Sequence, residues 1–598
     1  MTSSAMCLHL TGGRTPMDRI SESLLAEFSS EHGLTSLDQD KQFEHFTSFI
    51  TVRRHYSETF ETEDIVTGAG GDTGIDGIAI IVNGILVTDV EAFEEQASVT
   101  DYLDVTFVFV QAERSSGFDS SKIGTFGYGV VDFFSEKPTM IRNDKIFSAA
   151  EIMNAIYKRS SKFKRGNPVC RLYYVTTGKW QDDQVLEARR VSVVSDLKST
   201  LLFREVDFQP IDSERLHKFY RETRNAITRE FDFPNKAVVP TLPGIKEAYI
   251  GILSGKAFLN LLTDDNGEML SVLFYDNVRD WLDFNAVNNS IKDTLESEKR
   301  ARFVLMNNGI TVIARHLQVT GNKFLIEDYS IVNGCQTSHV LVEGRDSIDD
   351  TVMVPLRLIS TQDEDVINDI IRATNKQTQV TEDQFYALEE FPKDLERFFL
   401  TYPDPYKLYF ERRTSQYSRL AIEKTRIITQ KKMIMAFGGM FLDEPHTTTR
   451  NYANLRRKVG TGIFAKNHRM EPYYTAAFTL YKLDYFFRSG RLEAKFKNAR
   501  FHILLAARIL ANPTRLPRMN SHDMERYCKG LMEILWDDAR ADDLLTRAAE
   551  AVEKAAAGDY QRDNIRSESF TAKVKAECQN ALQIAAQEAE PETSVQST

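Results

Sequence analysis

The sequence predicts a multidomain α/β protein with a mostly helical C-terminal region, and three observations carry that prediction. Up to about residue 185 the pattern runs helix, hairpin, strand, helix, strand. A second set of β-rich runs follows between 248 and 359. From Ile427 onward the apolar residues recur at helical spacing. With 598 residues, two to four domains and sizeable cores are expected. The expected divisions are a flexible leader (1–16), a first α/β domain (17–185), a helical connector (186–241), a second α/β domain (242–410), a basic then helical region (411–586) and a disordered tail (587–598).

The elements follow in order. Phe43, Phe46, Phe49 and Ile50 share one helical face between 37 and 50, with Ser36 as candidate cap and Glu44 on the flank. Ile78–Val82, Asn83-Gly84 and Ile85–Thr88 form a hairpin signal. Asn-Gly accepts the positive φ values of a type I′ turn, and strand formers flank it. A helix is expected over 91–99. Val105–Val110 is a continuous β-branched and aromatic run, the mark of a central strand. Ile123–Phe134 reads as a helix despite Gly124, Gly127 and Gly129, and Arg171–Thr176 as a strand. In the second domain, strands are expected at 248–253, 309–314, 324–332 and 353–359. Thr381 with Gln384 forms a capping box for a helix running to Leu400.

Charge and composition exclude several classes. The net charge of −12 argues against a uniformly basic nucleic-acid binder. Residues 411–500 nevertheless hold 19 Lys/Arg against 7 Asp/Glu, a local +12 that leaves −24 for the rest. Such a block is either a nucleic-acid surface or a solvated helical face. The 5 cysteines include no Cys-x-x-Cys pair, which speaks against a zinc knuckle or disulfide frame and fits a reducing cytoplasm. No apolar run reaches the ~20 residues that span a bilayer, and no secretory pattern opens the chain. Gly251–Ala257 falls one residue short of a P-loop.

The chemistry-bearing pattern is Gly71-Asp72-Thr73-Gly74-Ile75-Asp76-Gly77 before one apolar strand, and Gln111-Ala112-Glu113 at the end of the next core strand. Phosphodiester hydrolysis uses a cation to neutralise the phosphate and acidify a water. Mg²⁺ or Mn²⁺ would take carboxylate and carbonyl oxygens here. Asp76, Gln111 and Glu44 are the candidate metal ligands, with the Ala112 carbonyl as another. Asp76, Gln111 and Glu113 form the candidate catalytic set. Such nucleases usually end the second strand in a lysine, and Glu113 stands in its place. Glu113 then serves as ligand or base, while Arg114 and Lys122 are alternative cations at other spacings. The competing reading makes Asp72 and Asp76 turn caps and Glu113 half of a surface ion pair.

Three loops concentrate amides: Asn307 and Asn308, then Asn333 with Gln336 and Thr337, then Asn375 with Lys376 and Gln377. Amides donate and accept together, so grouped at helix starts they suit a phosphate, nucleotide or base edge. Asx-turns and helix caps are the simpler role for any one loop. Arg412 and Arg413, set among aromatics, suit nucleic acid or cation–π pinning of the helix.

Four segments then carry a resemblance: Phe303–Thr311 (FVLMNNGIT), Tyr329–Ser338 (YSIVNGCQTS), Thr374–Val380 (TNKQTQV) and Tyr409–Tyr417 (YFERRTSQY). In this order they resemble the AIPR family, the abortive infection phage resistance proteins, over roughly 242–545. That family's N-terminal region often resembles the PD-(D/E)XK, restriction-endonuclease-like fold of the Mrr type. In that pattern Asp76 falls on the metal-binding aspartate, Gln111 on the Glu/Gln position and Glu113 on the lysine position. The resemblance implies bacterial antiviral defence, by cleavage of DNA or RNA or by sensing that leads to growth arrest. A partner defence protein and a homodimer belong to the same expectation.

Overall fold

A computed structural model describes residues 17–589 except 57–58, 69–73, 165, 182, 225–226, 265–266, 268, 275–285, 376–389, 413–415, 418–421 and 451. The chain divides into two compact units. One takes in Leu37–Gln379 with the chain before Glu31, the other Val380 onward with Glu31–Ser36.

The first unit contains a five-stranded sheet in the order β2-β1-β3-β4-β5. Its strands are β1 (Gly77–Val82), β2 (Ile85–Val87), β3 (Val105–Glu113), β4 (Val169–Thr176) and β5 (Glu205–Ile211). The hairpin forms as the Asn-Gly signal predicts, with φ of +50° at Asn83 and +79° at Gly84. β1 runs antiparallel to β3, whereas β3, β4 and β5 run parallel. β3, with its β-branched and aromatic run Val105–Val110, is therefore the central strand, as that run predicts.

Helices cover both faces. α1 (Arg19–Glu31) and α2 (Gln39–Val52) precede the sheet. Asp38, not Ser36, caps α2, and the Ser36 hydroxyl donates to the Arg488 carbonyl. α3 (Val90–Val99), α4 (Ser120–Phe133), α5 (Asp144–Lys158) and α6 (Gln184–Ser199) supply the apolar face that packs on Ile78, Ile80, Phe107, Phe109 and Leu172. α7 (Ser213–Arg224) packs with α2, Tyr220 against Phe46 at 5.2 Å. The glycines of α4 have a packing reason. A Cβ on Gly127 would meet Val193 Cγ2 at 2.3 Å and one on Gly124 the Arg189 guanidinium at 3.3 Å, so α6 lies close across α4.

The stretch read as a helical connector is corrected by the structure. It holds α6 and α7, but also β5 and two strands of the second sheet. The alternation of exposed Glu205 with buried Val206 and Phe208 is a period-2 strand signal that the helical reading passed over.

That second sheet is six-stranded, in the order β6-β10-β9-β11-β8-β7. It comprises β6 (Thr228–Asp232), β7 (Asn235–Val238), β8 (Glu247–Ser254), β9 (Ile310–Thr320), β10 (Lys323–Asn333) and β11 (Met353–Ser360). Every pair is antiparallel except β9 with β11. One face is covered by α8 (Gly255–Leu262), α9 (Ala286–Glu296), α10 (Phe303–Met306) and α11 (Cys335–Glu343). On the other face α12 (Glu364–Asn375) seats Ile367 against Ile313 and Val332. The near-P-loop stretch is simply the turn from β8 into α8, capped by Ser254, with Lys256 paired to Asp350. The capping box at Thr381 lies outside the described residues.

The second unit is mostly helical, as predicted. A two-stranded parallel pair, β12 (Tyr409–Glu411) and β13 (Ile427–Thr429), precedes a helical body. Its main helices are α13 (Glu390–Leu400), α14 (Gln430–Phe441), α15 (Glu471–Arg488), α16 (Arg500–Ala511), α17 (His522–Leu535), α18 (Asp538–Ala556) and α19 (Glu568–Ala589). Stacked rings lock its centre, Phe437 on Tyr473 at 4.1 Å and Tyr402 on Tyr474 at 3.6 Å. Among the described residues no helix is long and apolar enough to cross a membrane.

Candidate functional site

Parallel strands place the C-terminal ends of β3 and β4 side by side, and α4 starts just beyond them. Ligands of open α/β sheets commonly bind at such strand ends. The antiparallel β1 begins at the same end, so Asp76 enters this region from its other side. The side-chain period of two then decides what meets. Ile78 and Ile80 of β1, Phe107 and Phe109 of β3, and Leu172 of β4 all pack on the α4 side. Asp76, Gln111, Glu113 and Tyr174 continue those rows, so the sheet gathers them on one face at one end.

Asp76 is buried, 7% exposed, and held from three directions. Its N–H donates to the Val110 carbonyl at 2.8 Å and its carbonyl accepts from Thr67 at 2.9 Å. The Ala112 N–H donates to its Oδ2 at 2.7 Å. Ala112 thus braces the aspartate through its N–H. Gly77 is required next door, because a Cβ there would fall 2.5 Å from Ser48 Oγ of α2. Gly74, at φ +73°, brings its loop to within 3.7 Å of Gln111 Oε1, measured from an ideal Cβ. Asp72 lies outside the described residues.

Gln111 Oε1 is buried and has no hydrogen-bond partner among the described residues. An amide oxygen left this way costs about 1–3 kcal/mol. It is an acceptor awaiting a cation or a donor.

Glu113 pairs with Lys122 of α4, its Oε2 2.6 Å from the Lys122 ammonium. Asp119 caps α4 by accepting from the Ser121 and Lys122 N–H groups, which fixes the turn that carries this lysine. Arg114 is committed elsewhere, to Asp40 at 2.7 Å and to Gln39. Glu113 is thus half of an ion pair, as the competing reading of the motif expects, with a half-exposed lysine that comes from the helix.

Glu44 is engaged by its own helix. Its carboxylate receives the Lys41 ammonium at 2.8 Å through both oxygens. It rides on α2, which meets the sheet through Ser48 at Gly77, on the side away from Gln111. Among the described residues no three His, Cys, Asp or Glu side chains form a metal-holding cluster. The donors the sheet brings to one face are the Asp76 carboxylate and the Gln111 amide oxygen, with the Glu113 carboxylate two residues further along β3. That suits Mg²⁺ or Mn²⁺ retaining several waters.

Sequence reasoning missed Tyr174. It is paired in register with Gln111 and is fully buried. Burial, then the charges of Glu113, Asp119 and Asp76, push its phenol well above the ordinary tyrosine range, and the nearby Asp119 backbone N–H offsets part of the rise. The only sequence signal was its place two residues before the end of an apolar strand.

The amide loops also come together, but differently. Asn307 Nδ2 donates to Thr337 Oγ1 at 3.1 Å, while its Oδ1 accepts from the Gly309 N–H at 3.0 Å. Asn333 donates to the Thr374 carbonyl at 2.8 Å. Gly334, at φ +96°, caps α11 against Ile310. Asn308 is exposed and Gln336 half-buried. The Asn375 side chain, Lys376, Gln377 and Arg413 lie outside the described residues. Arg412 is buried and pairs with Glu396 at 2.9 Å, and Gln416 and Tyr417 bind the same carboxylate. His339 packs against Phe274.

Three cations of the basic block pair with acids of one helix of their own unit. Lys482 pairs with Asp538, Arg491 with Asp542 and Lys495 with Glu553, all acids of α18.

Fold and site together define a two-unit protein, with two mixed sheets in one unit and a helical body in the other. Residues 274–554 match the family described as AIPR protein, which supports the AIPR assignment carried by the four motifs, all inside that span. No curated protein and no solved structure matches the chain.

Proposed function

We propose that the chain is a bacterial anti-phage protein of the abortive-infection kind, and that its five-stranded sheet is a PD-(D/E)XK-type core hydrolysing phosphodiester bonds in nucleic acid. The AIPR match supports the defence role. The observation that carries the enzymatic part is the unpartnered Gln111 Oε1 beside the braced Asp76, with the Lys122 ammonium at Glu113. A divalent cation bound there would neutralise phosphate charge and acidify a water. Asp76 and Gln111 would hold it. Lys122 supplies the positive charge for the phosphate, and Glu113 orients Lys122 while remaining available as a base.

The test uses the full chain with DNA and RNA substrates, single- and double-stranded, with and without Mg²⁺ or Mn²⁺. Cation-dependent cutting that Asp76→Ala reduces at least 100-fold, with its melting temperature unchanged, is the expected result. Equal cutting by Asp76→Ala would sink the assignment.

A second reading keeps the fold as a sensor that binds without cutting. The lack of a three-acid cluster among the described residues favours it. Asp76-dependent cation or nucleic-acid binding with no cleavage of any substrate would select it.

A further inference from the structure

We infer that Tyr174 is a positioning residue of the cation site, an inference that rests on the Asp76–Gln111 reading above. Two consecutive tyrosines on β4 point to opposite faces and are treated oppositely. Tyr173 Oη, on the α2 face, is engaged by His55 Nε2 at 2.7 Å. Tyr174, on the α4 face, packs its ring against Phe118 and Phe126, with centroids 5.8 and 6.5 Å apart. Its hydroxyl is buried and makes no hydrogen bond of good geometry among the described residues; the Asp119 backbone N–H lies near its oxygen, and no acceptor takes its proton.

Register sharpens this. Tyr174 lies directly beside Gln111 on the adjacent parallel strand, so both side chains leave the same face. One cross-strand pair therefore carries two buried polar atoms without a hydrogen bond of good geometry among the described residues, Tyr174 Oη and Gln111 Oε1. Isolated orphans are rare in folded proteins, and two adjacent ones mark a place where the protein alone does not complete its bonding. The charges that reach the hydroxyl are Glu113, Asp119 and Asp76, and Asp119 is already spent on capping α4. A phenol kept protonated among carboxylates is a donor. Turned toward Asp76 or Glu113 when a cation binds, it would hold that carboxylate in its binding orientation. Residues that orient ligands in this manner typically change metal affinity 10–100-fold when removed.

The experiment measures Mn²⁺ binding by titration calorimetry, and thermal unfolding without cation, on full-length wild type, Tyr174→Phe, Tyr173→Phe and Asp76→Ala. Tyr174→Phe is expected to weaken Mn²⁺ binding about 10-fold or more, with an unchanged melting temperature. Tyr173→Phe is expected to lower the melting temperature and leave Mn²⁺ affinity within about twofold, since it loses only a structural hydrogen bond. Wild-type affinity in Tyr174→Phe, while Asp76→Ala fails to bind, overturns the role of Tyr174 and leaves the site standing. A melting temperature lowered in Tyr174→Phe as in Tyr173→Phe makes the residue merely structural and also overturns it. Absence of any Asp76-dependent Mn²⁺ binding in wild type overturns the site and the inference together.

Discussion

Two polar clusters occupy the larger unit, one at the strand ends of the five-stranded sheet and one among the amide loops of the six-stranded sheet. By composition both are candidate sites, though caps and turns are the simpler role for any one amide loop. Their hydrogen bonding sets the two apart in part. Asn307 and Asn333 spend amide hydrogens on Thr337 and on the Thr374 carbonyl, and the Asn307 oxygen takes the Gly309 N–H. At the strand-end cluster Gln111 Oε1 and Tyr174 Oη sit side by side on paired strands without a hydrogen-bond partner among the described residues, whereas beside the amide loops it is two hydroxyls, Thr311 Oγ1 and Ser338 Oγ, that are left so, not the Asn307 or Asn333 amides. A polar group bonded within the protein contributes to stability, whereas one left open contributes to binding something else. Removing groups of the first kind should lower stability, and removing groups of the second kind should lower binding alone.

The largest expected effect breaks a satisfied pair by acid. His55, bonded to Tyr173, has its pKa lowered to about 3, by burial first and then by Arg171 and Arg54. Above about pH 6.5 it is neutral whether folded or unfolded, and nothing is lost. As pH falls from about 6.5 toward 3, the unfolded chain takes up a proton that the folded chain refuses. Stability then drops by about 1.4 kcal/mol per pH unit for this group. Urea unfolding at pH 7, 5 and 4 should show that slope, and His55→Gln should remove about one proton's worth of it. An unaltered slope in the variant would refute the buried-histidine account. His502 in the second unit, also lowered to about 3 by burial, leaves its own proton's contribution.

Next in size is Arg412→Ala. The guanidinium and the Glu396 carboxylate are both largely buried, with side-chain exposures of 6% and 17%. Removing one partner of a buried pair costs about 3–5 kcal/mol, because the other charge is stranded. A loss under about 1 kcal/mol in denaturant unfolding would return Arg412 to the pool of ligand-facing residues.

Much of this was legible in the sequence, and the misses have physical causes. The Asn83-Gly84 hairpin, β3 as centre and the four strands of the second domain were readable from turn chemistry and apolar runs. β5 to β7 were missed because they are short, partly charged strands whose burial comes only from neighbours distant in sequence. Lys122 could be named only as one of two alternative cations, for a similar reason. Lys122 stands nine residues past Glu113, on a helix whose placement depends on the crossover to β4. Spacing rules written for a strand do not see a charge that arrives from a helix. Tyr174 was hidden by its type, since a tyrosine in an apolar strand resembles core, and only register with Gln111 sets it apart.

The smallest effects draw the sharpest line between the clusters, because they differ in sign. Asn333→Ala deletes a donor to the Thr374 carbonyl and should lower stability by about 1 kcal/mol, with Mn²⁺ affinity unchanged. Gln111→Met keeps the length and shape of the side chain but removes an acceptor that no described protein group satisfies. Its cation-free stability should stay level or rise by up to about 1 kcal/mol, while Mn²⁺ binding is lost. Paired unfolding and calorimetry on the two variants read both quantities. If Gln111→Met destabilises the protein as Asn333→Ala does, Gln111 is an ordinary structural amide, and the difference between the two clusters disappears.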